Sequence, residues 1–195
     1  MLVGICGKAG SGKDTIGDHF IKKYGFKKIA LADPIKRLVQ DVFVLDDATV
    51  HDRVLREQEL PAWPGWSVRK FLQYIGTELF REKIDDAVWV KSLWRRVQKD
   101  VDVNYIVTDI RFPNELAYFR DNAEYGQFLC IKTVRPGYDG SVGLVGHASE
   151  AHDLKGDIEI VNDGTMENMY NKVDEALKVY NASHNFERFK LLEGK

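Results

Sequence analysis

The residues best suited to chemistry stand near the start of the chain, between Gly7 and Thr15, where the sequence is GKAGSGKDT. An apolar run precedes this segment and a helical pattern follows it. Glycines at these places let successive backbone N–H groups point at phosphate oxygens, and Lys13 is spaced to reach the β- and γ-phosphates of a nucleotide. We therefore predict an ATP-binding loop with contacts from Gly7, Lys8, Gly10, Ser11, Gly12, Lys13, Asp14 and Thr15.

The position after the lysine departs from the general pattern, which places serine or threonine there to meet Mg²⁺. Asp14 occupies this position and Thr15 follows it. Two interpretations stay open: Asp14 binds the metal directly or through water, or Thr15 takes that role. Asp109, at the end of an apolar run, is predicted to support the same metal. Ile110 follows it, where hydrolytic motor ATPases generally place a glutamate, so a motor is disfavoured.

Phosphoryl transfer requires positive charge around the transferred group and an anchored acceptor. In the segment from 67 to 84, Arg69, Gln73 and Gly76 follow a stripe distinct from the apolar one, so we expect them to face a cleft. The other basic candidates are Lys36 and Arg37 after Asp33, Arg111 after Asp109, and Arg135 at the entrance of a long loop.

Five short apolar runs alternate with stretches of helical period. This alternation predicts an α/β fold with a parallel sheet covered by helices on both faces. The runs are 2–6, 29–32, 105–108, 128–134 and 158–161.

The remaining segments divide the chain further. Residues 67–100 are predicted to form a helical acceptor-binding region, 46–66 an irregular insertion, and 135–156 a glycine-rich loop that acts as a lid. The tail, 181–195, forms a loose helix or docks on a partner subunit, so a homodimer stays open. Ser67 is the expected N-cap of a helix whose buried stripe is Val68, Leu72, Ile75 and Leu79.

Size and composition limit the classes of function. A length of 195 residues predicts one domain, and a net charge of -2 gives no bulk positive field for stable binding of nucleic acid. Cys6 and Cys130 lie in apolar runs, which favours reduced core thiols and a cytoplasmic protein. No apolar run approaches the roughly 20 residues of a membrane span. Asn162 and Gly164 follow the last run without the lysine of a guanine-binding element, so guanine specificity has no support.

The chain resembles the bacteriophage-type deoxynucleoside monophosphate kinases, a branch of the P-loop nucleoside monophosphate kinase group. The aspartate after the loop lysine is similar to what this family carries. The matching pieces occur in the family's order and cover the chain to about residue 180; they are Ser11–Thr15, Leu31–Lys36, Trp66–Lys70, Gly76–Thr77, Trp89–Lys91, Asp109–Arg111, Val134–Gly137, His147 with Glu150, and Ile160–Gly164.

The resemblance implies a P-loop fold with a five-stranded parallel sheet, a helical monophosphate-binding region and a lid. It places ATP and Mg²⁺ on the loop with Asp109 supporting the metal, and Asn162 and Gly164 on the adenine side. Arg135 would come from the lid at the transition state. Trp89 would stack on the acceptor base or belong to the core. The remaining acceptor contacts would come from Asp33, Lys36, Arg69, Gln73, Gly76, Arg111 and Glu150.

The predicted function is transfer of the γ-phosphate of ATP to a deoxynucleoside 5′-monophosphate. Two alternatives stay open: a dephospho-coenzyme A kinase, whose acceptor is a ribose hydroxyl, and a non-catalytic ATP-binding regulatory or assembly module. His147, Glu150 and His152 are predicted to make polar contacts of the lid in preference to a metal site.

Overall fold

The structure of the chain is a computed structural model that describes residues 1–52, 54–100, 102–124, 126–138 and 152–184. Most of the predicted lid, including Glu150, lies outside the described residues, as does the tail from 185 to 195. The chain separates into two compact units, one formed by Met1–Ala30 with Leu93–Lys195 and the other by Leu31–Ser92. The organisation as one kinase domain with a lid stays a prediction.

The first unit contains the five-stranded sheet. Its strands are β1 (Leu2–Cys6), β2 (Lys27–Lys28), β5 (Tyr105–Val107), β6 (Phe128–Val134) and β7 (Ile158–Val161). Their order in the sheet is β2-β5-β1-β6-β7, and every neighbouring pair is parallel. The predicted α/β fold with a five-stranded parallel sheet is therefore confirmed.

One strand lies earlier in the chain than its apolar residues suggested. Residues 29–32 were predicted as a strand, but the strand is Lys27–Lys28. The N–H of Ile29 still donates to the carbonyl of Ile106 at 3.0 Å, after which the chain leaves the sheet. Ile29 and Leu31 are buried but lie beyond the end of the strand, so burial here does not imply a strand.

Helices cover both faces of this sheet. On one face, α1 (Lys13–Tyr24) and α7 (Met166–His184) pack on β-strand side chains such as Ile5 and Ile131 in the main apolar core. On the other face, Phe119 of α6 (Pro113–Asn122) contacts Phe128, with a distance of 5.2 Å between ring centroids. Cys6 and Cys130 are buried free thiols, with their sulfur atoms 3.7 Å apart, as expected for reduced core cysteines.

A half-buried carboxylate joins the two helices of the core face. Asp174 Oδ1 of α7 lies 2.7 Å from His19 Nε2 and accepts a hydrogen bond from the Tyr24 hydroxyl at 2.6 Å. Lys23 Nζ donates to the other oxygen at 2.7 Å. Burial raises the pKa of Asp174, but the bonds from Lys23, Tyr24 and His19 outweigh it and hold the pKa below its ordinary value of 3.8.

The second unit begins with α2 (Asp33–Phe43) and includes the segment 46–66, where the prediction of irregular structure was wrong. This segment contains α3 (Asp47–His51), a 3₁₀ turn (Leu55–Glu57) and an antiparallel hairpin of β3 (Glu59–Leu60) and β4 (Trp63–Ser67). Asp46 caps α3 by accepting from the N–H of Thr49 at 2.6 Å. Pro64 is compatible with β4 because both strands of a two-stranded sheet are edge strands.

The helical segment after the hairpin changes its winding. Ser67 caps α4 (Val68–Gln73) as predicted, accepting from the N–H of Lys70 at 3.3 Å. A π-helix (Tyr74–Arg81) follows, and α5 (Val88–Lys99) comes after it. Because a π turn is wider than an α turn, side chains beyond Ile75 leave the predicted stripe. Leu79 is 44% exposed as a result. Before the π-helix, Leu72 is half-buried and its neighbour Phe71 is buried.

Among the described residues, no helix is both long enough and apolar enough to cross a membrane.

We expect Asp174→Asn to lower the free energy of unfolding by about 2 kcal/mol at neutral pH, because it removes a charge that accepts three hydrogen bonds. Since the folded-state pKa of Asp174 is lowered, this contribution is present above pH 3.8 and disappears as the pH falls through the folded-state value. Denaturant melts of both proteins between pH 7 and pH 3 test this. Asp18→Asn, which changes an exposed carboxylate of α1 beside His19, is the control. Equal loss at every pH would contradict the assignment.

Candidate active site

The loop between β1 and α1 has left-handed backbone at each of its glycines. The φ angles are 137° at Gly7, 77° at Gly10 and 107° at Gly12, a region that side-chain-bearing residues rarely adopt. A Cβ on Gly7 would stand 2.4 Å from the carbonyl oxygen of Thr133 in β6. The loop is therefore pressed against the neighbouring strand, and only glycine fits at position 7.

Lys13 lies over this loop at the first position of α1. Its Nζ donates to the carbonyl oxygens of Gly7 at 2.7 Å and of Lys8 at 2.6 Å. The ammonium group is thus held at the mouth of the loop beside the N-terminus of a helix, where anions are favoured. This arrangement can bind the phosphates of a nucleotide.

Asp14 is held by a residue of β2 and by the residue that follows β5. Lys28 Nζ of β2 and Thr108 Oγ1, which follows β5, both donate to Asp14 Oδ1 at 3.0 Å. Burial raises the pKa of Asp14, yet the hydrogen bonds and charge of Lys28 and the bond from Thr108 bring it below its ordinary value. Asp14 is therefore a carboxylate at neutral pH. Neither partner was identified from the sequence, since only the sheet register brings them together.

Asn162 lies at the end of β7, where the sequence suggested an adenine-side loop. Its Nδ2 donates to the carbonyl oxygen of Ser11 at 2.9 Å, and its own N–H donates to Val134 at 2.7 Å. A Cβ on Gly12 would stand 2.8 Å from the same Nδ2. Asn162 therefore supports the phosphate loop from behind. Gly164 lies nearby in the chain, against Asn168.

A tight turn from Arg135 to Tyr138 follows β6. The N–H of Tyr138 donates to the carbonyl of Arg135 at 3.2 Å, and Gly137 has a φ of 71°. The guanidinium carbon of Arg135 lies 5.5 Å from the centre of the Tyr138 ring. A Cβ on Gly10 would stand 2.7 Å from the Tyr138 hydroxyl. Tyr138 thus packs on the loop, a role that nothing in its sequence context suggested.

A cavity of about 480 Å³ lies beside the loop and gathers several of the predicted residues. Its lining includes Gly7, Lys8, Ser11, Thr133, Arg135 and Tyr138. The hydroxyls of Ser11 and Thr133 are buried, with no hydrogen-bond partner among the described residues. Arg111 shares a smaller adjoining pocket with Lys8 and Lys13. The first unit thus brings together the loop, Arg111 and Arg135.

Glu115 fixes the backbone at Arg111. This glutamate is buried in α6, and its Oε2 accepts from the N–H groups of Arg111 at 2.8 Å and Phe112 at 3.0 Å. The chain after β5 is thereby held in place at the residue that enters the pocket of Lys13. Asp109 lies two residues before Arg111 in the same connection.

The remaining predicted residues belong to the second unit. Arg69 pairs with Glu57, with 2.6 Å between Nη1 and Oε1. Gly76 is closely packed against α2, because a Cβ there would stand 3.0 Å from Ile35 Cδ1. Its carbonyl accepts a hydrogen bond from Trp89 Nε1 at 2.8 Å. Trp89 is 6% exposed, which favours its core alternative over base stacking. Asp33 and Lys36 lie in the first turns of α2, and Gln73 is exposed at the end of α4.

The three residues predicted to hold Mg²⁺ fit this metal by their chemistry. Asp14, Thr15 and Asp109 offer carboxylate and hydroxyl oxygens, the donors that hard cations prefer. Within the described ranges, no group of three or more His, Cys, Asp or Glu side chains is arranged to hold a metal. A magnesium ion here would therefore be completed by nucleotide phosphates and water, as is usual for Mg²⁺ in proteins.

Comparison with known proteins gives consistent results. Residues 46–173 match the family model described as deoxynucleotide monophosphate kinase. A protein of Acanthamoeba polyphaga mimivirus named as a deoxynucleotide monophosphate kinase is 31% identical over 192 residues, covering 89% of this chain and 94% of the relative. The deoxynucleotide monophosphate kinase of Enterobacteria phage T4 is 33% identical over 120 residues, covering 58% of this chain. The chain spans 46% of that phage protein's length.

A gluconokinase from Sinorhizobium meliloti 1021 is similar in structure, with a TM-score of 0.50 at 13% identity over 93% of this chain and 97% of the other. At this identity the likeness concerns the fold alone.

We expect Asn162→Ala to weaken nucleotide binding about fivefold, because one hydrogen bond that holds the loop is worth about 1 kcal/mol. Titration calorimetry with a non-hydrolysable ATP analogue measures this. The matched control is Asn122→Ala, which removes a similar bond, from Nδ2 to the carbonyl of Tyr118 at 2.8 Å, on α6. Equal affinities for the two variants would show that Asn162 does not support the loop.

Proposed function

The chain belongs to the deoxynucleotide monophosphate kinase family and is an ATP-dependent kinase, and we propose that it phosphorylates its acceptor by direct, in-line transfer. The observation that carries this proposal is the position of Lys13, held by two carbonyls of a left-handed glycine loop at the start of α1. The acceptor is a deoxynucleoside 5′-monophosphate, and the products are ADP and the deoxynucleoside diphosphate.

The proposed chemistry needs no covalent intermediate. An oxygen of the acceptor phosphate attacks the γ-phosphorus, the bond from that phosphorus to the β–γ bridging oxygen breaks, and ADP leaves with the electron pair. The attacking oxygen is already anionic at neutral pH, so no strong general base is required. Positioning of the two substrates and neutralisation of their charge therefore supply most of the acceleration.

Each basic residue has a proposed part in this reaction. Lys13 binds the β- and γ-phosphates, exchanging its bonds to Gly7 and Lys8 for bonds to phosphate oxygens. Arg111 and Arg135 stabilise the charge that develops on the transferred group. Lys36 and Arg69 bind the acceptor phosphate, for which Arg69 must exchange its ion pair with Glu57.

Magnesium is proposed as the metal that accompanies ATP, with Asp14, Thr15 and Asp109 as the residues that hold it or its water. When bound, it would neutralise charge on the phosphates. The proposed compartment is the cytoplasm, which for a viral chain is that of the host.

We expect ADP release by the wild-type protein to depend on added deoxynucleoside monophosphate, and Lys13→Ala to abolish it, since the variant removes the cation that contacts the transferred phosphate. A coupled assay with all four deoxynucleotides, their ribose counterparts and dephospho-coenzyme A measures both. Lys22→Ala, an exposed lysine of the same helix, should retain full activity. A response only to dephospho-coenzyme A, no acceptor dependence, or near-normal turnover by Lys13→Ala would contradict the proposal.

We expect Arg135→Ala to lower kcat more than it raises KM, because Arg135 is assigned to the transition state and not to ground-state binding. Loss of one such charge costs about 100-fold in kcat. Steady-state kinetics with ATP and acceptor varied separately will show the division. Lys155→Ala, which removes another cation of the first unit, is the comparison. An effect confined to KM would remove Arg135 from the transition state.

A further inference from the structure

Asp14 stands where phosphate loops ordinarily carry a neutral hydroxyl, and two other residues converge on it. Thr108 Oγ1 and Lys28 Nζ each donate to the same oxygen, Asp14 Oδ1, at 3.0 Å. We propose that Thr108 and Lys28 are positioning residues that orient the Asp14 carboxylate for the magnesium–nucleotide complex and offset its charge. This inference rests on the proposed function, since it concerns the same nucleotide site.

The sheet register brings the two donors to one face. Lys28 of β2 pairs with Ile106 of β5, and Thr108 follows Ile106 by two residues. Paired residues of parallel strands project to the same side. Thr108, the first residue after β5, projects to the side of Ile106 as well, since its methyl group lies against Gly17 of α1. Ile106 belongs to the core cluster shared with Phe20 of α1, so this is the side that α1 covers. Lys28 and Thr108 are therefore directed towards the helix that carries Asp14.

A glycine of α1 allows the close approach of Thr108. A Cβ on Gly17, one helical turn after Asp14, would stand 2.7 Å from Thr108 Cγ2. The methyl group of Thr108 thus packs on the helix while its hydroxyl reaches the carboxylate. Thr108 is 7% exposed, whereas the Asp14 side chain is 59% exposed. The Asp14 carboxylate is accordingly held by the buried Thr108 and is still accessible to solvent.

Charge explains why a carboxylate at this position requires Lys28. A hydroxyl adds no charge, but Asp14 places a negative charge in the first turn of the helix that receives the phosphates. The negative charge of Asp14 repels the negatively charged phosphates of the nucleotide unless a cation compensates it. Lys28 supplies that cation, and Thr108 fixes which oxygen it meets. The pair together allows an acidic residue to replace the usual hydroxyl.

The test for Thr108 compares two variants with opposite chemistry. Thr108→Val keeps the methyl that packs on Gly17 and removes the hydroxyl, while Thr108→Ser keeps the hydroxyl. Titration calorimetry with a non-hydrolysable ATP analogue is run with Mg²⁺ and with EDTA. We expect Thr108→Val to weaken binding about tenfold with Mg²⁺ and to leave binding in EDTA unchanged, with Thr108→Ser close to wild type. Equal weakening in both conditions, or none, would overturn the positioning role.

Lys28 is tested by a double-variant cycle, with Lys27→Met as the matched control of the same strand. We expect Lys28→Met to weaken metal-free binding of the analogue about threefold, because Asp14 is left uncompensated. Asp14→Asn in the Lys28→Met background should restore that affinity. Failure of this restoration would mean that Lys28 binds phosphate directly, and would overturn its assignment to Asp14.

Failure of this inference can be told apart from failure of the proposed function. If the function is wrong, the wild-type protein shows no acceptor-dependent release of ADP. If only the inference is wrong, the wild-type protein turns over while the Thr108 and Lys28 variants bind the analogue in the pattern that contradicts it. Thermal unfolding of each variant shows whether the fold is retained. If Thr108→Val does not fold, the Lys28→Met variant still tests the inference, because Lys28 is exposed.

Discussion

Three left-handed glycines in one short loop are the constraint on which the rest of the site depends. Each is backed by a different part of the first unit: Gly7 by the carbonyl of Thr133, Gly10 by Tyr138, and Gly12 by Asn162 and Met169. The backbone is therefore held in a conformation that it would not keep alone, and its N–H groups are arranged before a nucleotide arrives. Such preorganisation lowers the cost of binding and of stabilising developing charge.

The residues that support the glycine loop come from the carboxyl ends of β6 and β7 because of the direction of these strands. These strands are parallel to β1, so their ends meet the loop at one edge of the sheet. Asn162 and the turn from Arg135 to Tyr138 both occur directly after those strands. On the other side of β1, the connection after β5 supplies Thr108, which donates to Asp14, and Arg111, which shares a pocket with Lys13. The parallel topology thus places contacts from three connections around one short segment.

Local patterns made part of this architecture predictable. The glycine loop, four of the five strands and the N-cap Ser67 depend on neighbours in sequence, and they were found where expected. The contacts of Tyr138 with Gly10, and of Lys28 and Thr108 with Asp14, depend on strand order and register, which no spacing in the chain reveals. Likewise, the apolar stripe of 67–84 was wrong beyond Ile75 because α-helical periodicity cannot anticipate a π turn. The role of Trp89 could not be assigned from its residue type, because an aromatic ring can stack on a base or pack in a core.

The pairing of β1 has a consequence for the order in which the protein acquires its structure. Leu2 pairs with Tyr105 and with Phe128, so the strand that leads into the glycine loop has partners more than 100 residues later in the chain. Contacts of such long range close large loops and slow folding. During synthesis the glycine loop leaves the ribosome before β5 and β6, so the strands that flank β1 do not yet exist when the loop is made. The glycine loop is therefore made well before the strands that hold it, and it can reach its final conformation only after they have paired with β1.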